Sequence, residues 1–181
     1  MEEHKSILKL SSIFLQYPDS EWYRNEEIYE FILQLESRSE REQLLNFWDY
    51  SVSLPWLELE QNYVKQFDFS KDCSLYLTYG VFGDKRERGQ GFIKLKMEYA
   101  KAGYRITGDE LPDFLPLILE AMSETDDAFT HKLYFIHKKA MDQLYAQLKE
   151  QKSPYAYLLA AVLETLDKTV AREQVKESRK V

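Results

Sequence analysis

The 181-residue sequence predicts an all-α fold, a single-domain bundle of eight or nine helices. Three observations favour it. Apolar residues recur every three or four positions through most of the chain, as on the buried face of a helix. Prolines and glycines stand where these periodic segments begin and end. Hydrophobic residues make up 44% of the chain and aromatic residues 14%, which is enough to form a core and excludes general disorder.

Four helices are predicted in the first third of the chain. In the first helix, Ile7, Leu10 and Phe14 follow a helical period that ends before Pro18. In the fourth, Pro55 occupies the first turn. The predicted segments are the residues before Pro18, residues 28–35, residues 40–52 and residues 55–67.

Residues 72–80 fit two descriptions. Leu75, Leu77 and Tyr79 alternate as in a strand, whereas Asp72 could cap a helix. A strand needs a partner, and the pattern shows no second strand. A helix is therefore preferred here.

A long helix is predicted to follow Gly83. Asp84 is a good N-cap, and the helix ends at Gly103. Gly89 and Gly91 lie in its first two turns, where each glycine costs about 1 kcal/mol relative to alanine. We expect this pair to mark a close contact with a neighbouring helix.

Three more helices are predicted in the rest of the chain. Pro112 begins a helix of about 111–124, another spans about 126–150, and the last follows Pro154. Residues 168–181 are highly charged and are expected to fray. The predicted organisation is one helical domain over residues 1–167 and a charged, frayed or disordered tail over 168–181.

The formal net charge of −7 limits the classes of partner. The tail carries five basic and two acidic residues, so the body has a net charge near −10. Such a body repels phosphate and anionic lipid, which argues against nucleic-acid or membrane-surface binding as a main role. The longest apolar run, Tyr155–Leu163, is too short to span a membrane, and the N-terminus lacks a basic secretory signal. We expect no stable membrane insertion and a cytoplasmic location.

The sequence offers little catalytic or metal-binding chemistry. Cys73 is the lone cysteine, which excludes an intrachain disulfide and favours a small buried side chain. His131 and His137 are six residues apart and point away from each other on a helix. No zinc motif or nucleophile elbow is present. We therefore expect no metal, no cofactor and no enzymatic activity.

An acidic cluster surrounds Pro112. Asp109, Glu110 and Asp113 would lie in or just before the first turn of a helix, where carboxylates stabilise the helix dipole. Alternatively, they form an acidic rim beside an apolar floor of Phe114, Leu115 and Leu117. Such a rim would suit a partner segment with basic and hydrophobic residues. The pattern leaves both interpretations open.

Several motifs between residues 60 and 122 occur in a specific combination. They are Tyr63-Val-x-x-Phe67-Asp68-Phe69, Leu75-Tyr76-Leu77-Thr78-Tyr79, Gly83-Asp84-x-Arg86-x-Arg88-Gly89, Leu95-x-x-x-Tyr99-x-x-x-Gly103, and Glu110-Leu111-Pro112-Asp113-Phe114-Leu115-Pro116. Together they resemble the nitrate reductase assembly chaperones, the NarJ-type delta subunits, which are related to the TorD and DmsD chaperones of other molybdoenzymes.

The resemblance implies an all-helical protein without enzymatic activity. Members of this family bind the N-terminus and another region of the apo catalytic (alpha) subunit of a membrane-bound nitrate reductase. They keep that subunit soluble while its molybdenum cofactor is inserted. The candidate partner-binding residues are Tyr79, Asp84, Arg86, Arg88, Glu110, Leu111, Asp113, Phe114 and Leu117.

One departure from the wider family favours the nitrate reductase branch. The wider family has a Glu-Pro-x-Asp-His signature at a hinge loop, and here Glu110 and Asp113 match it. Leu111 replaces the proline and Phe114 replaces the histidine. The alternative is a chaperone of a dimethyl sulfoxide or trimethylamine N-oxide reductase.

A third hypothesis is a small helical nucleotide-binding enzyme. It would use Asp84, Arg86 and Arg88, which lie in a stretch with several glycines. The absence of a phosphate-binding loop argues against it.

Overall fold

A computed structural model of the chain describes residues 2–70, 73–78 and 86–178. These ranges contain eight helices and no extended strand, so the all-α prediction is confirmed. The helices are α1 (Glu3–Phe14), α2 (Glu26–Leu33), α3 (Arg38–Ser53), α4 (Trp56–Phe67), α5 (Arg86–Lys101), α6 (Leu115–Glu124), α7 (Asp127–Glu150) and α8 (Tyr155–Ser178). Within the same ranges, no helix is both long and apolar enough to cross a bilayer.

Helix α8 lies at the centre of the packing. It contacts α1, α3 and α7, while α6 packs against α1 and α7. The apolar run near its N-terminus explains this position, because Leu158, Leu159 and Val162 are all fully buried. A helix that is apolar on most sides is stable only when other helices surround it.

The end of α5 shows how the sequence sets a helix boundary. Gly103 has φ +77°, which a glycine adopts without a steric penalty. The Tyr104 N–H donates to the Tyr99 carbonyl at 3.0 Å, and the Gly103 N–H donates to the Ala100 carbonyl at 3.1 Å. These bonds form a Schellman motif, with the Tyr99 and Tyr104 rings packed 5.7 Å apart. The prediction that Gly103 ends this helix is confirmed.

The helix predicted over 72–80 is wrong where the structure describes it. Residues 73–78 are not helical and pair with residues 113–115. The Leu77 N–H donates to the Asp113 carbonyl at 3.0 Å, and the Leu115 N–H donates to the Leu75 carbonyl at 2.8 Å. The alternating pattern does have a partner, residues 113–115, which the sequence predicts as the start of a helix.

The same pairing moves the start of the next helix. Helix α6 begins at Leu115, not near residue 111, and its first-turn proline is Pro116 rather than Pro112. Residues 113–115 pair with the 73–78 segment, so their backbone cannot begin a helix earlier.

The close helix contact predicted at Gly89 and Gly91 is absent among the described residues. A Cβ atom built on either glycine would meet nothing within 4 Å. The buried side of α5 carries Leu95 and Tyr99, and both glycines are exposed. The predicted Asp84 cap lies outside the described residues.

The C-terminal helix continues past residue 167, where the charged tail was expected to begin. Helix α8 extends to Ser178. Lys168 donates to Glu40 Oε1 at 2.7 Å, and Thr169 is buried. The division into a domain and a tail at this point stays a prediction.

Cys73 is fully buried, as expected from the sequence.

Candidate partner-binding groove

A buried carboxylate joins three parts of the chain. Asp113 is fully buried, and its Oδ2 atom accepts hydrogen bonds from the Thr78 N–H at 3.1 Å and from the Thr78 hydroxyl. Arg88 Nη2, on α5, donates to the same oxygen at 3.3 Å. The guanidinium also lies 4.9 Å from the centre of the Phe92 ring. Asp113 thereby connects residues 73–78, the loop before α6, and α5.

The structure corrects the expectation that Asp113 lies on an exposed acidic rim. The side chain of Asp113 has 0% exposure and that of Arg88 has 12%. A charged group in the interior is stable only when it is paired and hydrogen-bonded. The two residues therefore position the surrounding segments, and the Asp113 carboxylate has no access to a partner in this conformation.

A groove lies on the outer side of this junction. It runs between the end of α1, helix α4, residues 74–76 and the loop before α6, and it encloses about 360 Å³. We call it the aromatic groove. Its lining residues are Gln16, Tyr17, Tyr63, Phe67, Asp68, Ser74, Leu75, Tyr76, Glu110 and Phe114.

Packed aromatic rings form the floor and walls of the aromatic groove. The Tyr63 ring centre lies 5.6 Å from that of Tyr17 and 5.0 Å from that of Phe67. On the other side, the Tyr76 and Phe114 rings are 5.1 Å apart. Each ring is held in place by its neighbours and presents an apolar surface. These side chains therefore lose little conformational entropy when a partner binds. The groove is therefore pre-formed.

Carboxylates line one edge of the aromatic groove. Asp68 and Glu110 are both exposed, and the Tyr76 hydroxyl donates to Glu110 Oε2 at 3.0 Å. Burial, and after it the bond to Glu110, raises the pKa of Tyr76 to about 12. Tyr76 thus remains a protonated donor at neutral pH and orients the Glu110 carboxylate. An apolar floor beside two carboxylates suits a segment with hydrophobic and basic side chains.

An exposed apolar patch continues the groove along α4. Leu57 is 63% exposed and Phe69 is 82% exposed, and they line a shallow depression together with Val64 and Tyr17. Tyr17 belongs to both surfaces and connects them. Contiguous exposed apolar surface of this kind marks interaction sites in soluble proteins.

Comparison with known proteins identifies the family. Residues 34–168 match the sequence profile of the family described as nitrate reductase delta subunit. The chain belongs to this family. Several relatives also match it along most of their own length.

Three of these relatives have assembly chaperone in their names. The probable nitrate reductase molybdenum cofactor assembly chaperone NarJ of Bacillus subtilis (strain 168) is 34% identical, over 91% of this chain and 90% of its own. NarW of Escherichia coli (strain K12), a probable chaperone of the same description, is 28% identical over 93% and 71%. NarJ of Escherichia coli (strain K12) is 27% identical over 94% and 73%.

The predicted site residues of this delta-subunit chain lie in different parts of the structure. Glu110 and Phe114 line the aromatic groove, and Leu111 is exposed in the same loop. Leu117 is half-buried and packs against the core instead. Their role in partner binding stays a prediction.

Two other predicted site residues, Asp113 and Arg88, do not line the aromatic groove. Asp113 is fully buried and pairs with Arg88, whose side chain is 12% exposed. Because Arg88 pairs with Asp113, its guanidinium does not face solvent as the nucleotide-binding hypothesis requires. Arg86 begins α5. Tyr79 and Asp84 lie outside the described residues.

Of the ten described residues that line the aromatic groove, the sequence predicts only Glu110 and Phe114 as site residues. Tyr63, Phe67, Asp68 and Tyr76 line it, and all four belong to the family motifs, but none was chosen as a site residue. The helical spacing of Tyr63 and Phe67 on α4 predicts that both face the core. That prediction is also correct, since both are buried and form the groove floor. Their presence in a family motif was the available signal.

One group of potential metal ligands lies away from the groove. Donor atoms of Glu2, His4 and Asp127 come within 4.8 Å of one another. His4 Nε2 lies 3.0 Å from Asp127 Oδ1 and 3.5 Å from Glu2 Oε2, distances that hydrogen bonding and ion pairing explain. The expectation of no metal and no cofactor stays a prediction.

Proposed function

We propose that this chain is a nitrate reductase assembly chaperone. It binds the N-terminal segment of the apo catalytic subunit and keeps that subunit competent for molybdenum cofactor insertion. The observation that carries the proposal is the aromatic groove, with an apolar floor and the Asp68 and Glu110 carboxylates at its edge. The family membership and the names of its relatives support the choice of client.

The proposed mechanism uses binding energy alone. Hydrophobic side chains of the client segment lie against Tyr63 and Phe114, and each fully buried one contributes about 1.5–3 kcal/mol. Basic side chains of the segment lie near Asp68 and Glu110, which steer association and fix the register. The patch at Leu57 and Phe69 extends the contact along α4.

The fixed walls of the groove favour client binding. Tyr63 is held by its hydroxyl, which donates to the Leu15 carbonyl at 3.0 Å, and the Asp113 junction holds the opposite wall. Little ordering is then required when the client binds. The chain performs this role in the cytoplasm, without catalysis and without a cofactor of its own.

Complementation in cells tests the proposal. The host lacks its own nitrate reductase chaperones and expresses the reductase subunits together with this chain. We expect the wild-type chain to restore nitrate reductase activity and the Phe114→Ala variant to restore much less at equal abundance. Phe31→Ala, which alters an exposed aromatic residue on α2, is the matched control and should restore full activity. Failure of the wild-type chain, or equal loss in both variants, would refute the proposed function.

A further inference from the structure

Four large apolar side chains project from α5 and α7, away from the aromatic groove. Their exposed fractions lie between 54% and 64%. The four residues are Ile93, Met97, Phe135 and Ile136. At 100° per residue, Ile93 and Met97 lie on the side of α5 opposite Leu95 and Tyr99, which face the core. They form an outward ridge.

Contacts between the two helices place these side chains on one face. The Tyr99 and Phe129 ring centres are 5.8 Å apart, and the Lys132 ammonium forms an ion pair with the Glu98 carboxylate. Met97 directly precedes Glu98. Phe135 and Ile136 follow Lys132 by three and four residues, about one helical turn. The ridge of α5 and the exposed Phe135 and Ile136 of α7 therefore lie beside the same contact between the two helices.

Lysines surround the four apolar side chains. The exposed lysines of this face are Lys94, Lys96, Lys101, Lys132 and Lys139. Among the side chains that the structure describes here, two are acidic and both are paired: Glu98 with Lys101 and Lys132, and Asp142 with Lys138 at 3.6 Å. We call this surface the basic apolar face. Its positive charge contrasts with the net charge of −7 of the whole chain.

We infer that the basic apolar face binds the surface of a membrane that contains anionic lipids. Bulky apolar side chains ringed by lysines are the composition of helices that lie in the membrane interface. Each lysine near an anionic surface adds attraction, and the acidic remainder of the chain is repelled from it. The same charge separation would orient the molecule with this face toward the lipid.

The shape of the face favours a lipid surface over an acidic peptide. A bound peptide buries its own apolar side chains in a groove, and such grooves lie between helices or strands. Ile93 and Met97 instead project from the crest of a helix. The inference is independent of the proposed function. It revises the expectation that this acidic chain does not bind membrane surfaces, because the net charge averages over faces of opposite charge.

Vesicle flotation tests the inference. The purified full chain is mixed with vesicles of phosphatidylcholine alone or of phosphatidylcholine mixed with phosphatidylglycerol, at low and at high salt. We expect flotation with the anionic vesicles at low salt, weaker flotation at high salt because the charges are screened, and none with phosphatidylcholine alone.

Variants assign the binding to this face. Lys96→Gln and Lys139→Gln should each lower partitioning by about fivefold, as expected for one lysine near an anionic surface. Met97→Ser and Phe135→Ser should lower it at both salt concentrations. All four positions are exposed, so thermal unfolding should not change. Lys65→Gln and Phe69→Ser, on or just after α4, are matched controls and should float like the wild-type chain.

Three results would overturn the inference. The first is equal flotation with neutral and anionic vesicles, or none with either. The second is equal loss in the control variants and in the variants of the basic apolar face. The third is tighter binding to polyglutamate than to vesicles with the same dependence on Lys96 and Phe135, which would assign the face to an acidic protein.

Discussion

Glu110 and Asp113 are acidic residues three positions apart in one loop, and their surroundings are opposite. Glu110 is exposed at the aromatic groove and accepts a hydrogen bond from Tyr76. Asp113 is fully buried and binds Thr78 and Arg88. The difference arises because residues 75–77 pair with residues 113–115 and close over one side of the loop. Asp113 therefore maintains the shape of the groove, and Glu110 is available to contact a client.

The largest expected effect separates these roles by stability. Asp113→Ala removes the carboxylate that accepts hydrogen bonds from Thr78 and Arg88. The Arg88 guanidinium then stays in the interior without this carboxylate, so the free energy of unfolding should fall by about 3–5 kcal/mol. Urea unfolding measures it. Asp109→Ala, an exposed acid in the same loop, is the control and should change stability by less than about 0.5 kcal/mol.

The double variant Arg88→Met/Asp113→Leu sharpens the result. Removing both charges leaves neither unpaired in the interior, so stability should recover relative to Asp113→Ala. A loss of only about 0.3–1 kcal/mol in Asp113→Ala is the effect expected of a carboxylate at a helix N-terminus, and it would contradict the buried role.

The next largest effect is expected on the groove side of the loop. Phe114 packs against Tyr76 in the aromatic groove, so Phe114→Ala should weaken binding of a client N-terminal peptide by about 1–3 kcal/mol. Because the contact is apolar, the loss should be the same at every salt concentration. Isothermal titration measures it. An unchanged affinity combined with a large loss of stability would place Phe114 in the core only.

A smaller and salt-dependent effect is expected for Glu110. The Glu110→Gln variant should bind the peptide more weakly by about 0.5–1 kcal/mol at low salt, and the difference should shrink as salt screens the charge. Stability should hardly change, because the side chain is exposed. Association rates measured over a salt series would show the effect, and a salt-independent loss would count against a rim role.

The smallest effect concerns an exposed glycine of α5, about one helical turn after Arg88. Gly91 is exposed, and a methyl group added at its Cα would point into open space, so Gly91→Ala should stabilise the protein by about 0.5–1 kcal/mol. Thermal unfolding measures it. Destabilisation by alanine would restore the close contact that the sequence predicted for the glycine pair.

The helices could be predicted because each one carries its own signal. The spacing of Ile7, Leu10 and Phe14 reports burial within one segment, and Gly103 ends α5 through bonds to adjacent residues. The 73–78 segment could not be predicted, since its pairing partner lies more than 35 residues downstream. The burial of Asp113 likewise depends on Arg88, which is 25 residues away.

Only the side of the groove with Glu110 and Phe114 was predictable, for a related reason. Glu110 and Phe114 stand in a loop with unusual composition, which attracts attention to them. Tyr63 and Phe67 follow ordinary helical spacing on α4, so their pattern is explained by the core alone. One side of each ring is in the core and the other forms the groove floor, and a one-dimensional pattern does not separate the two.

Photo-crosslinking tests whether the aromatic groove binds the client. A peptide with the N-terminal sequence of the nitrate reductase catalytic subunit, carrying a benzophenone side chain, is bound to the chain and irradiated, and the adducts are mapped by mass spectrometry. We expect adducts on α4 and the residues just after it, near Leu57 and Phe69, and on residues 74–76 and 110–114. Excess unlabelled peptide should abolish them. Adducts confined to α7 and α8 would contradict the claim that the aromatic groove binds the client.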